Sequence, residues 1–161
     1  MPMIELTLPY PISANRYWGT RVVKLKATGK WASMTYVTKE ADAYKLDVEK
    51  LVLAAGIRKP LPGRVAIEVT LVPNRPLDWK KRVRLDPLNW DDTVQCIDLD
   101  NANKVLLDSL KGIAIEDDKW VRRITSERIE PDGGPARVVV RITPLAKVLH
   151  PQQDLLSEAT S

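Results

Sequence analysis

The sequence predicts a single α+β domain, and three observations carry that reading. Ile4–Leu8 and Val65–Leu71 alternate apolar and polar residues, the two-residue repeat of a strand with one buried face. Two other stretches, near 39–55 and 100–111, repeat their apolar residues at helical spacing. The chain has 161 residues, 44% of them hydrophobic, which suits one domain with a core of its own.

Composition narrows the class further. The formal net charge is +4, which favours a polyanionic partner only weakly until the charges are mapped. There is no Phe, so Trp and Tyr supply the large aromatic packing. Cys96 is the only cysteine, which excludes an intrachain disulfide and a multi-cysteine zinc site. It reads as a small buried apolar group, because the only histidine, His150, lies near a polar tail. The first residues lack a basic segment followed by a long apolar run, and no stretch approaches the roughly 20 apolar residues of a membrane helix. A cytoplasmic protein with no membrane partner is expected.

In chain order, Pro9 and Pro11 end the first strand. Asn15-Arg16-Tyr17-Trp18 then gathers an amide, a cation and two aromatics in a loop. Such a cluster suits a nucleic-acid backbone, and it equally suits folding back on the sheet edge. Arg21–Lys26 and Trp31–Val37 flank Ala27-Thr28-Gly29-Lys30, a hairpin pattern. Thr38 is placed to cap a helix near 39–55 that Gly56 stops, with Lys39, Lys45 and Lys50 on its solvated side. Pro73 ends the strand at 65–71. Five cations follow between Arg75 and Arg84, with Trp79 among them. That segment is either a phosphate-gripping loop or a solvated, charged loop or hairpin. Asp86–Thr93 is turn-rich, and Asp91 and Asp92 read as solvated turn acids. A helix near 100–111 ends at Gly112, with Asp100 as its expected cap. Trp120–Thr125 and Ala136–Ile142 are read as a closing hairpin across Pro131–Pro135. Residues 1–148 form the expected domain, and 149–161 a polar, disordered tail.

The chemistry concentrates in Cys96-Ile97-Asp98-Leu99-Asp100-Asn101-Ala102-Asn103-Lys104. If that segment is extended, Asp98 and Asp100 point the same way. Glu116-Asp117-Asp118 follows after one helix length, and a return turn after Gly112 is expected to bring Asp117 or Asp118 beside the first pair. Gathered carboxylates repel one another unless a cation lies between them, and hard oxygen ligands suit Mg²⁺. Lys104, four residues past Asp100, is placed to meet charge building on a phosphate. The plainer readings are an i,i+4 ion pair at Asp100 and Lys104 and a solvated turn at Asp117-Asp118.

Asp98-Leu99-Asp100-Asn101 with Lys104, and Asp117-Asp118 ahead of Val121, resembles the RusA family of Holliday junction resolvases. Leu8-Pro9-Tyr10-Pro11 with Ser13, Asn15, Arg16 and Tyr17 is similar to that family's N-terminal signature, and the likeness spans most of residues 4–143. The resemblance implies a two-layer, RusA-like fold, a mixed sheet with two main helices on one face. It implies a homodimer that binds four-way DNA junctions and nicks two strands symmetrically with Mg²⁺. Carried over by position, Asp98, Asp100 and Asp118 become metal-binding catalytic carboxylates, Asp117 an assisting ligand and Lys104 the catalytic lysine. Asn15, Arg16, Arg75, Trp79, Lys80, Lys81, Arg82 and Arg84 become the DNA-binding set. The chain departs from the pattern where Gln95-Cys96-Ile97 replaces arginines before the first aspartate, and the basic run lies upstream in a longer segment. The alternatives are a DNA-junction-binding protein without cleavage, a glycosyltransferase reading Asp-x-Asp, and a calcium loop. The chain lacks a convincing nucleotide-binding domain for the second, and a glycine between the acids and a closing glutamate for the third.

Overall fold

The computed structural model describes residues 3–146. Its main sheet has four strands in the order β1 (Ile4–Pro9), β6 (Arg137–Pro144), β4 (Val65–Val72), β5 (Val121–Arg128). β6 runs antiparallel to β1 and β4, and β5 runs parallel to β4, so the sheet is mixed. β2 (Trp18–Lys24) and β3 (Trp31–Val37) form a separate two-stranded ribbon. The expected polar tail, 149–161, lies outside the described residues. No helix among those described is long and apolar enough to cross a membrane.

One face of the sheet carries the core. Leu6, Val140 and Val69 stand side by side across three strands, and so do Leu8, Val138 and Leu71, all of them buried. Helices α2 (Lys39–Ala54) and α4 (Leu99–Leu110) cover this face. α2 contributes Ala41, Tyr44, Val48 and Val52, and α4 contributes Ala102, Val105, Leu106 and Leu110. These residues fall at the three- and four-residue spacing that makes one stripe per helix. The opposite sheet face is polar, with Glu5 and Arg141 paired at 2.7 Å across β1 and β6.

Local signals act as read at both ends of α2. Thr38 Oγ1 accepts the Ala41 N–H at 3.2 Å and donates to the Arg16 carbonyl at 2.6 Å, so one hydroxyl caps α2 and ties it to the segment before β2. Gly56 takes φ +87°, the left-handed turn that favours glycine after a helix.

Four expectations are corrected. β6 is not the hairpin partner of β5, because β4 lies between them. β4 buries Val65, Ile67, Val69 and Leu71 on its core face and is paired along both edges, with β5 on one side and β6 on the other; the β5–β6 connection crosses its end, with the Ile129 N–H on the Leu71 carbonyl and the Ala136 N–H on Asn74 Oδ1. The basic run is neither loop nor hairpin throughout: Trp79–Leu85 is a short helix, α3, built from good helix formers with an Asp78–Arg82 pair at 2.8 Å. Asn15–Trp18 is not a loop: α1 (Ala14–Tyr17) turns directly into β2, and Tyr17 is fully buried. Asp98, not Asp100, occupies the N-cap of α4.

Tyr17 also ties the helices together. Its hydroxyl donates to Asp108 on α4, and Asp108 pairs with Lys45 of α2 at 3.0 Å. Lys45 is therefore an interhelical contact and not a solvated cation.

Thr38→Ala removes the α2 cap and is expected to cost about 1 kcal/mol in urea unfolding. An unchanged midpoint would show that the Thr38 hydroxyl is dispensable.

Candidate functional site

The segment leading to α4 is held extended by contacts from two other parts of the chain. Tyr10, just past β1, accepts the Ile97 N–H at 2.8 Å and directs its own hydrogen at Cys96 Sγ, 3.5 Å away. Arg128, at the end of β5, donates to the Asp91 and Val94 carbonyls at 2.8 and 2.9 Å. Cys96 is half-buried against the core and serves as this packing point.

These anchors present Asp98 and Asp100 at the start of α4. Asp98 has extended backbone (φ −63°, ψ 141°), yet its carboxylate makes no capping bond. An aspartate at this position ordinarily accepts an N–H from the first turn. Asp98 and Asp100 are both exposed, and the helix dipole favours negative charge there. Asp100 lies in the first turn of α4, so the extended alternation expected for the pair does not hold. Lys104 is exposed one turn further on, and no ion pair within 4 Å joins it to Asp100 among the described residues.

Asp98 forms part of the wall of a groove of about 910 Å³. Ser13 and Arg16 line it from the α1 side, Asn74 and Arg82 from the segment after β4, and Asn101 from α4. Sequence reasoning missed Asn101, although it stands inside the Asp-Leu-Asp-Asn run, and one helical turn sets it beside Asp98.

Asp117 and Asp118 do not return to this end. α4 runs antiparallel to β5, and contacts along its length fix that direction. Arg128 meets Val94 before the helix, Ser126 Oγ donates to Asn103 Oδ1 at 2.7 Å, and Lys111 at the far end lies 3.9 Å from Asp117. The twelve residues of α4 therefore separate the two acidic groups by about 18 Å along the helix axis. Among the described residues, no three metal-ligating side chains gather in one chain. Asp117 sits below the usual carboxylate range through its hydrogen bond with Asp118, the Lys119 N–H at 3.1 Å and the Lys111 cation.

The expected DNA-binding cations divide into two kinds. Arg82 is engaged by Asp78 and by the Thr93 carbonyl at 2.9 Å, which fastens α3 to the turn at Trp90–Thr93. Arg75 lies 4.1 Å from the centre of the Trp79 ring, and Arg16 pairs with Glu40. Lys80 and Lys81 are exposed on α3, and Arg84 lies on the same helix and Asn15 on α1. Asp91 is not a solvated turn acid: it is partly buried beside Arg128, and burial raises its carboxyl above the ordinary range.

An acidic helix start opening on a groove edged with arginines, on a mixed sheet, is the setting in which the family comparison falls, and its class is a nuclease. The family model for endodeoxyribonuclease RusA matches residues 9–143, most of the chain, and the protein belongs to that family. A search of curated proteins finds no significant match.

Burial and the Cys96 contact push the Tyr10 hydroxyl up to about 12. A phenol that holds its proton more tightly in the folded state makes stability fall as pH rises from about 10 through 12. Urea unfolding across that window should show a steeper decline for the wild type than for Tyr10→Phe. Equal slopes would remove Tyr10 as a contributor.

Proposed function

We propose that the protein is a Mg²⁺-dependent endonuclease that resolves Holliday junctions by paired, symmetric nicks. It acts as a homodimer in which each active site draws on both copies. The observation that carries this reading is the placement of Asp98-Asp100 and Asp117-Asp118 at opposite ends of α4. One chain cannot close the set without unwinding that helix. A second copy, related by a two-fold axis, can lay its Asp117-Asp118 end against the first copy's Asp98-Asp100 end. The same two-fold axis then creates a second identical site, which a two-fold junction requires.

The donor set fits the metal. Asp98 and Asp100 are solvent-accessible oxygen donors, and the Asp98 carboxylate is not used in capping. They would hold Mg²⁺ together with Asp118 of the partner subunit, with Asp117 of the partner subunit assisting. When bound, the ion would polarise the phosphate and lower the pKa of an attacking water. Asp98, on the groove wall, and Asp100 would place that ion, and through it the scissile phosphate, at the start of α4. Lys104 brings a cation one helical turn away to the oxygens on which negative charge grows. The Tyr10 and Arg128 contacts keep the acidic pair from shifting as substrate enters.

The decisive test uses a labelled four-way junction, with and without Mg²⁺, beside a linear duplex. Asp98→Asn and Asp100→Asn should each bind the junction and leave it uncut; robust nicking by either would refute the ligand assignment. Binding without cleavage by the wild type would instead make the protein a junction-binding module. Lys104→Ala should slow single-turnover cleavage about 10²–10³-fold.

Subunit mixing tests the shared site. A dimer of one Asp100→Asn chain and one Asp118→Asn chain retains one intact site if the ligands come from two copies, and it should nick one strand. If each site lay within one chain, both sites would be damaged and the mixed dimer would be as inactive as either parent.

A further inference from the structure

We propose that the β2–β3 ribbon is a duplex-DNA-binding arm that lies along a helical arm of the junction beside the cleavage site. The inference rests on the reading above that the substrate is DNA. It concerns a surface that neither the acidic centre nor the Arg75–Arg84 run includes.

Charge is the first observation. Residues 18–37 hold Arg21, Lys24, Lys26 and Lys30 and no aspartate or glutamate. Those four cations equal the formal net charge of the whole protein, +4, so the rest of the chain balances to zero. The hairpin differs from the Arg75–Arg84 run, which also sums to +4 but includes Asp78, in carrying its four cations with no acid among them. Each lysine or arginine that neutralises a phosphate releases condensed counterions, which is the main sequence-independent source of DNA affinity.

Shape is the second observation. Each strand has seven residues, so the ribbon is about 24 Å long. It belongs to neither edge of the main sheet. A two-stranded ribbon is an element that the major groove of B-DNA admits. Cross-strand register puts Thr20, Val22 and Lys24 of β2 on one face with Trp31, Ser33 and Thr35 of β3, and all six are exposed. Trp31 is 70% exposed and Val22 64%, with no core beneath them. The other face is braced. Tyr36 lies across Gly19, where an added Cβ would come within 2.5 Å of the ring, and Arg21 sits 5.7 Å from that ring's centre.

Position is the third observation. The ribbon grows directly from α1, whose entry residue Ser13 and whose Arg16 line the groove that holds Asp98. A duplex resting on the ribbon therefore approaches the acidic end of α4. Charge selects DNA over a second copy as the occupant. Two identical ribbons, each with four cations and no acid, repel one another across a two-fold axis, whereas phosphates attract both.

The test measures junction binding by fluorescence anisotropy without divalent ions over a range of salt. The variants are the triple Lys24→Ala/Lys26→Ala/Lys30→Ala, single Trp31→Ala, and the control triple Lys39→Ala/Lys50→Ala/Lys59→Ala, which removes the same charge elsewhere. The ribbon triple should lose at least about tenfold in affinity at low salt, and its log–log salt slope should shallow by about 2.7. Trp31→Ala should weaken binding with the slope retained. The control should keep the wild-type slope, and thermal unfolding should match the wild type for all three. A ribbon triple with the wild-type slope overturns the inference while leaving the nuclease reading intact. A change of dimer to monomer in the ribbon variants by sedimentation also overturns it, because the ribbon would then be a subunit contact. A wild type that binds no DNA sinks both readings, whereas cleavage by Asp100→Asn sinks only the metal-site assignment.

Discussion

The antiparallel seating of α4 against β5 is the constraint from which the rest of this molecule follows. Val105, Leu106 and Leu110 are buried on the core side, each worth roughly 1.5–3 kcal/mol of removed apolar surface. That burial fixes which way the helix faces but not where it lies along the strand. Polar contacts set the position along the strand, with Ser126 on Asn103 near the middle and Arg128 on the segment before the helix. A slip of one turn would break both and would leave the part-buried Asp91 and Val94 carbonyls without their donor. The positions of Asp98 and Asp117 are set by the ends of this helix, so the spacing of the acidic groups is a consequence of packing.

Polar engagement also sorts the cations. Arg128, Arg82 and Arg75 carry positive charge in the sequence, yet their donors or ring faces are engaged with carbonyls, Asp78 and Trp79. Planar guanidinium groups suit such bridging, because one head satisfies several acceptors at fixed angles. Lysines hold most of the exposed positions: Lys80, Lys81 and Lys104 on α3 and α4, and Lys24, Lys26 and Lys30 in the hairpin. Arginine locks the loops, and lysine, with its flexible stem, faces the solvent from which a polyanion would arrive.

Much of this architecture was legible from periodicity and punctuation. The stripes of α2 and α4, the alternation of β4, the Thr38 cap and the glycine stop at Gly56 are local signals, and the chain obeys them. What failed was long-range. The pairing of β6 with β4 joins Val138 and Val140 to Leu71 and Val69 on one core face, and nothing in the local alternation of either strand marks the other as its partner. The acidic residues were identifiable as types, but not their separation. A turn at Gly112 reverses the chain, but reversal alone does not bring Asp117 back to Asp98. In fact the chain comes back along the whole of β5 before it reaches the level of Asp98, and the residue that arrives there is Arg128. Arg75 to Arg84 read as one basic run because sequence shows charge and not its engagement.

Crowded carboxylates destabilise a fold unless a cation sits among them. A chain that carried all its acids at one point would bear that repulsion throughout folding, with or without metal. Here Asp98 and Asp100 sit at a helix N-terminus, whose dipole favours them, while Asp117 lies beside Lys111. Each pair thus has a compensating charge or dipole within its own chain. Under the proposed dimeric reading, the repulsion arises only when two copies bring unlike ends together, and the same ion that relieves it is the one needed for cleavage. Assembly, metal binding and activity would then be linked by mass action, and a lone copy would have no complete site with which to cut DNA.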